Sequence, residues 1–266
     1  MSETNIPNEY KKQITKSTFQ TEIITLPSGG GDYYPIGNSL RSGKVELRLP
    51  TAKDEDILTS RSLIQKGTVL DVFMKNLLVD PTIDLDSMLI GDKNALLFAT
   101  RMLLYGNEYP VSISCPKCNH PNDVTLDISE FETKEIDILP ESDGTFTFEL
   151  PKSKNVIKFK ILTQRDENEL EETRKKMKKH MKSGYEGELT SRYKKMIISI
   201  DGEKDPITIR EFVDNMLTMD SKAFRSYLTK ITPDVDSAFE FECENCRHSE
   251  RMGMPISAQF FWPDTD

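Results

Sequence analysis

The stretches "CPKCNH" at 115 to 120 and "CENCRH" at 243 to 248 repeat one pattern, Cys-x-x-Cys with a His two residues on, and together they hold all four cysteines of the chain. The opening "MSETNIPNEYKKQITK" is polar and lacks the apolar run of a signal peptide, and "ALLFA" at 95 to 99 is too short to cross a bilayer, so the cytosol is the expected place of synthesis. Under reducing conditions, thiols at this spacing point to metal before disulfides. One Cys-x-x-Cys turn offers two thiolates to an ion, and two turns complete the tetrahedron that zinc prefers, leaving no open position for chemistry. Cys115, Cys118, Cys243 and Cys246 are therefore the expected ligands of a structural Zn2+. The constraint on folding is severe, because points 128 positions apart must meet.

The flanks say how they meet. "YPVSIS" leads into the first turn and "VTLDI" leaves it, while "AFEFE" leads into the second, so each turn is expected at the tip of a β-hairpin. Two such hairpins sharing one ion form a zinc-ribbon-like unit, expected over 109–130 and 238–256. Ribbons usually separate their turns by roughly 15 to 20 residues, whereas Cys118 and Cys243 enclose 124. Loop-closure scaling makes the longer closure costlier by only about 2 kcal/mol, against an apparent zinc-binding free energy of roughly 10 to 16 kcal/mol. The intervening segment, 131–237, must also return its ends to one place, which predicts a folded insertion.

Other chemistries fit less well. A redox dithiol needs one exposed, acidic pair near a helix start, but here both pairs follow strands and come as a set. His120 and His248 could each replace a cysteine as ligand. Four sulfurs already satisfy zinc, so both are read as supporting or solvated groups.

The remaining chain supports an α+β class, with an N-terminal helical part joined to the ribbon-like unit and a long α+β insertion between the two turns. Residues 1–44 end in "PSGGGDYYPIGNSLRSGK" and read as a flexible arm. The triple glycine is no phosphate loop, since the Lys-Ser/Thr pair is missing. Three helices are expected in 45–108. Thr51 with Asp54 forms a capping box for the first and Gly67 closes it; Thr68 with Asp71 starts the second and Pro81 stops it; Asp92 opens the third and Gly106 ends it. The third is apolar almost all round, which makes it either central to the core, the preferred reading for one chain alone, or part of an interface.

Within the insertion, "TFTFELPKSKNVIKFKIL" alternates on both sides of "PKSKN" and reads as a β-hairpin. The helix that follows, "RDENELEETRKKMKKHMKSG", places acids first and bases last, complementing its dipole. Its basic half, Arg174 to Lys182, does not argue for nucleic acid: the net charge is −9 and no aromatic residues interleave with those lysines. Two shorter helices are expected, one capped by Thr208 and Glu211 and one from Ser221. The C-terminal tail, 257–266, carries Phe260, Phe261 and Trp262. Two readings stand for it, completion of the core near the ribbon or a docking segment for a partner. With three histidines in all, and no nucleophile-base pair or phosphate cradle, the chain is not expected to be an enzyme.

"LRLPTAKDEDILTS" at 47 to 60 and "MLIGDKNALLFATRMLLYGNEYPVSISCPKC" at 88 to 118 resemble the baseplate hub protein family of T4-like contractile-tailed bacteriophages. The most telling part is the junction, in which a "GDKNALL" helix start and a "YG" helix end lead into a short strand and then Cys-Pro-x-Cys. The resemblance covers roughly 45 to 130 and, less specifically, 240 to 250; its motifs do not cover the charged insertion around 141 to 235. It implies a non-enzymatic protein of the tail baseplate, in the virion and in the host cytoplasm during assembly. Its implied partners are other baseplate and tail hub proteins, with self-association open and nucleic acid and membrane spans not expected. A zinc-ribbon protein that binds nucleic acid in transcription or packaging is the competing reading.

Overall fold

The computed structural model describes residues 20–180, 187–255 and 260–262. The first strand, β1 (Thr21–Thr25), pairs antiparallel with β2 (Lys44–Arg48). Residues 20–44, expected within a flexible arm, are thus built into the fold, and residues 1–19 lie outside the described residues. The reason is burial: Leu26, Tyr34 and Leu40 from the connection between the two strands are all in the core. The triple glycine is likewise no linker. A Cβ on Gly30 would come within 2.4 Å of the Gly43 amide nitrogen, so the chain crosses itself where side chains have no room.

Four helices follow: α1 (Ala52–Leu58), α2 (Arg61–Lys66), α3 (Val69–Leu77) and α4 (Ile90–Tyr105). The capping box forms at α1, where the Asp54 carboxylate accepts from the Thr51 backbone N–H at 2.8 Å. That carboxylate also takes both arms of the Arg48 guanidinium at 2.7 Å, tying β2 to the helix. The single helix expected up to Gly67 is two, because the chain turns at Thr59 and Ser60. Gly67 does close α2, in the left-handed region at φ 69°.

The third expected helix starts two residues earlier than Asp92. Asp92 lies in its first turn and reaches back to the glycine-rich segment, accepting from the Ser28 amide at 2.9 Å, the Ser28 hydroxyl at 2.6 Å and the Tyr34 hydroxyl at 2.5 Å. Burial pushes its carboxyl above the usual range. Gly91 explains the depth of this helix start, since a Cβ there would lie 1.9 Å from the Pro233 carbonyl oxygen.

Beyond α4 come β3 (Glu108–Ser114) and β4 (Pro121–Asp127), an antiparallel hairpin, then the short β5 (Glu132–Thr133). The expected hairpin of the insertion is β6 (Phe146–Glu149) and β7 (Val156–Phe159), and its turn is held by Asp220, which accepts the Lys152 and Ser153 amides at 2.7 and 3.0 Å. Helix α5 (Gln164–His180) carries the acid-to-base sequence; the side chains of its basic run from 177 to 182 lie outside the described residues. Next come α6 (Glu188–Met196) and β8 (Ile197–Ile200), which completes a three-stranded sheet in the order β6-β7-β8. Neither was expected from sequence.

The last helices begin earlier than their predicted caps. In α7 (Pro206–Asp214) the cap is Asp205, whose carboxylate accepts the Thr208 amide at 2.8 Å, and α8 (Thr218–Ile231) already contains Ser221. β9 (Val235–Asp236) then pairs with β5, closing the insertion at its root, before the second long hairpin, β10 (Ala238–Glu242) and β11 (Ser249–Gly253).

Two apolar clusters organise this mixed α and β fold. The larger joins residues of the N-terminal segment and helices, including Leu26, Leu47, Phe73 and Leu77, with Phe159, Ile197 and Phe224 of the insertion. The smaller joins both long hairpins with Phe260 and Phe261. Helix α4 is the shared wall: Leu96 belongs to the larger cluster and Phe98 to the smaller, while Leu97 and Leu104 pack against both. Its apolar circumference has this cause. Among the described residues, no helix is long and apolar enough to cross a membrane.

Candidate metal centre

Each long hairpin ends in a six-residue turn, 115 to 120 or 243 to 248, and the two turns repeat the same bonds. The Cys115 amide donates to the His120 carbonyl at 2.9 Å and the Asn119 amide to the Cys115 carbonyl at 2.8 Å; the Cys243 amide donates to the His248 carbonyl at 2.9 Å and the Arg247 amide to the Cys243 carbonyl at 3.0 Å. The residue after the second cysteine is left-handed in both, Asn119 at φ 57° and Arg247 at φ 59°. Asparagine adopts this region readily, whereas arginine does so under constraint from the turn.

The tips face each other. The Sγ atoms of Cys115, Cys118, Cys243 and Cys246 all lie within 4.8 Å of one another. Across the hairpins, Cys115 is 3.7 Å from Cys246 and Cys118 is 3.7 Å from Cys243. A tetrahedron with Zn–S bonds of about 2.3 Å has sulfurs about 3.8 Å apart, so the donor set has the size and chemistry of a four-thiolate metal site. Cys115 and Cys243 are buried, Cys246 is half-buried and Cys118 is exposed, which places the cluster at the rim of the smaller core.

Backbone dipoles favour thiolate at two positions. The His120 N–H holds the Cys118 thiol below its ordinary value, and the N–H groups of Cys246 and Asn245 bring Cys243 down to about 6. At Cys246 the His248 N–H pulls against burial and the neighbouring thiols, which together carry it up to about 12. Four sulfurs this close cannot all bear charge without a cation among them.

The histidines stay outside the cluster. His120 is exposed, and His248 directs Nε2 to Glu250 at 3.3 Å. A residue that sequence reasoning missed sits closer to the centre. Asn122, buried in β4, donates from Nδ2 to the His120 carbonyl at 2.8 Å and accepts at Oδ1 from the Glu244 amide at 2.8 Å, bridging one turn to the other. Asn245 returns the contact from the second turn, with Nδ2 3.7 Å from the Cys118 sulfur. The only signal for either was a side-chain amide near a cysteine, which is too common to single out.

The aromatic tail packs against the same core. Phe260 makes edge-on contacts with Phe98 and Tyr109, at 5.6 and 5.1 Å between ring centres. Tyr105 donates its hydroxyl to the Phe261 carbonyl at 3.1 Å, and Trp262 donates Nε1 to the Leu58 carbonyl at 2.9 Å. Of the two readings of this segment, residues 260–262 follow the core-completing one; 257–259 and 263–266 lie outside the described residues. Beside them Arg101 is buried, its charge met by the Gly106 and Glu108 carbonyls at 3.1 and 3.2 Å and by the Tyr105 ring at 4.8 Å.

A family model described as T4 bacteriophage base plate protein matches residues 18–262, nearly the whole chain. No curated protein and no solved structure matches it.

Proposed function

The chain belongs to the T4 bacteriophage base plate protein family, and from that premise we propose that it serves at the central hub of the contractile tail, as a subunit or an assembly factor, on a scaffold fastened by zinc. Membership supports a structural protein of the phage tail with other tail proteins as its partners, and in this reading its role is non-enzymatic. The hub position rests on the resemblance of residues 47–60 and 88–118 to hub proteins.

The observation that carries the zinc reading is the convergence of four sulfurs from hairpins 128 positions apart, within 4.8 Å. In this reading Cys115, Cys118, Cys243 and Cys246 hold the ion as a ribbon-like unit, and no ligand position remains for substrate or water. The ion's work is mechanical. It ties β10–β11 to β3–β4, and since these hairpins flank the insertion, it also fixes the ends of residues 131–237 against α4. A rigid unit of this kind can hold its place among neighbours without chemistry of its own.

Two measurements test the reading. Elemental analysis of the purified chain is expected to give one zinc per chain, and Cys115→Ser is expected to lose zinc and tail-protein binding together; binding retained without metal overturns the fastening role. Quantitative mass spectrometry of particles against infected-cell lysate is expected to give a small fixed number of copies per particle for a hub subunit. Abundance in lysate with absence from particles assigns the assembly-factor role instead.

A further inference from the structure

The two turns correspond residue by residue at an offset of 128, and the correspondence exposes one asymmetry. Asn122 of the first hairpin accepts the Glu244 amide of the second turn at 2.8 Å. The reciprocal bond would run from position 250 to the amide of position 116. Position 116 is proline, which has no N–H, and position 250 is Glu250, which faces His248 at 3.3 Å. The bridge therefore runs one way, from a side chain anchored in the well-buried hairpin to the backbone of the less buried one.

Taking the zinc reading above as its basis, we propose that Asn122 is the positioning residue of the metal centre, holding the second turn in register with the first so that the four sulfurs are gathered before the ion arrives. Three features support this. Asn122 is 2% exposed, so water does not compete for its amide. Both ends of that amide are engaged, Nδ2 on the His120 carbonyl and Oδ1 on the Glu244 amide, and this fixes its orientation. Its second partner adjoins Cys243, so displacement of the Glu244 amide moves a ligand sulfur directly. Groups of this kind around metal ligands are worth roughly 10- to 100-fold in affinity.

The asymmetry supplies its own test. Because the corresponding position in the first turn is Pro116, Glu244→Pro suits the turn and deletes the N–H that Asn122 accepts, together with a side chain that is exposed. Zinc release from the full chain into an excess of a colorimetric chelator is measured for the wild type, Asn122→Ala, Glu244→Pro and the double variant, with bound zinc counted beforehand. The expected result is release about 10- to 100-fold faster in each single variant, with the double variant no faster than Asn122→Ala alone. Unchanged release in both single variants overturns the inference, and so do effects that multiply in the double variant, since the two residues then act separately. A wild-type chain that takes up neither zinc nor cobalt overturns the metal reading itself, and this inference with it. A wild type that holds zinc no more firmly than its variants overturns the inference alone.

Discussion

The β3–β4 and β10–β11 hairpins end in the same turn with the same internal bonds, yet they are anchored differently. The first turns Tyr109, Val111, Ile113 and Leu126 inward, on both of its strands. The second commits Phe241 fully, while Phe239 and Met252 are only partly covered. A short motif therefore dictates the turn, and the alternation of the flanking strands decides whether the hairpin can stand without it. In the readings proposed above, the second hairpin depends on cross-links at its tip: the metal-linked sulfur cluster and the Asn122 bridge.

In the zinc reading proposed above, the largest test of this contrast is removal of the metal. Chelation at neutral pH, or Cys243→Ser, is expected to strip amide-exchange protection from 238–253 while 108–127 keeps most of its own. The local loss is several kcal/mol out of the roughly 10 to 16 typical of a structural zinc. Equal loss in both hairpins would mean that the core of the first does not hold it independently.

Core truncations come next. Phe241→Ala should cost about 3 to 5 kcal/mol in urea denaturation and weaken zinc binding, because it is the main apolar anchor of its hairpin. Ile113→Ala should cost about 2 to 5 kcal/mol and leave zinc content intact, since its neighbours still hold the strand. Zinc loss in the second variant would erase the contrast.

A pH titration separates the two cysteine-bearing hairpins from the N-terminal helices. The Arg48 guanidinium beside Asp54 holds its carboxyl well below the usual carboxylate range. That stabilisation is complete above the unfolded value of about 3.9 and is lost as pH falls below it toward the lower folded value. In the zinc reading, acid also releases the ion, because protons compete for the thiolates. Asp54→Asn should cost about 1.5 to 3 kcal/mol at pH 7 and flatten the acid dependence of helical melting. Zinc release with pH should not change; a parallel shift in both would couple the two regions.

The smallest effect is expected at the root of the second hairpin. Gly91→Ala drives a Cβ into the Pro233 carbonyl and should cost about 1 to 3 kcal/mol through displacement of the insertion's returning end. Calorimetry measures the loss, and zinc release measures whether the displacement reaches the tip.

What could be read from the chain alone was whatever depends on near neighbours. The alternation in 145–161 is that of β6–β7, and Thr51 with Asp54 caps α1 as their spacing requires. The errors came where local cues competed. Thr208 with Glu211 has the spacing of a capping box, but Asp205 lies just before Pro206, which is suited to the first helical position, and takes the cap. The strand "TEIIT" was missed inside the segment read as an arm, because the glycines after it have no local partner and only the approach of Gly43 to Gly30 gives them a reason.

By itself the sequence determined the turns, the Cys-x-x-Cys pairs they carry and the apolar α4, because each follows from residue type and spacing over a few positions. Only the tertiary structure decided that the four sulfurs converge within 4.8 Å, that Asn122 reaches Glu244, and that the insertion shares its core with the N-terminal helices. The sulfur contacts alone join residues up to 131 positions apart. No local preference encodes a meeting over such separations; it emerges when all the apolar faces must be buried at once.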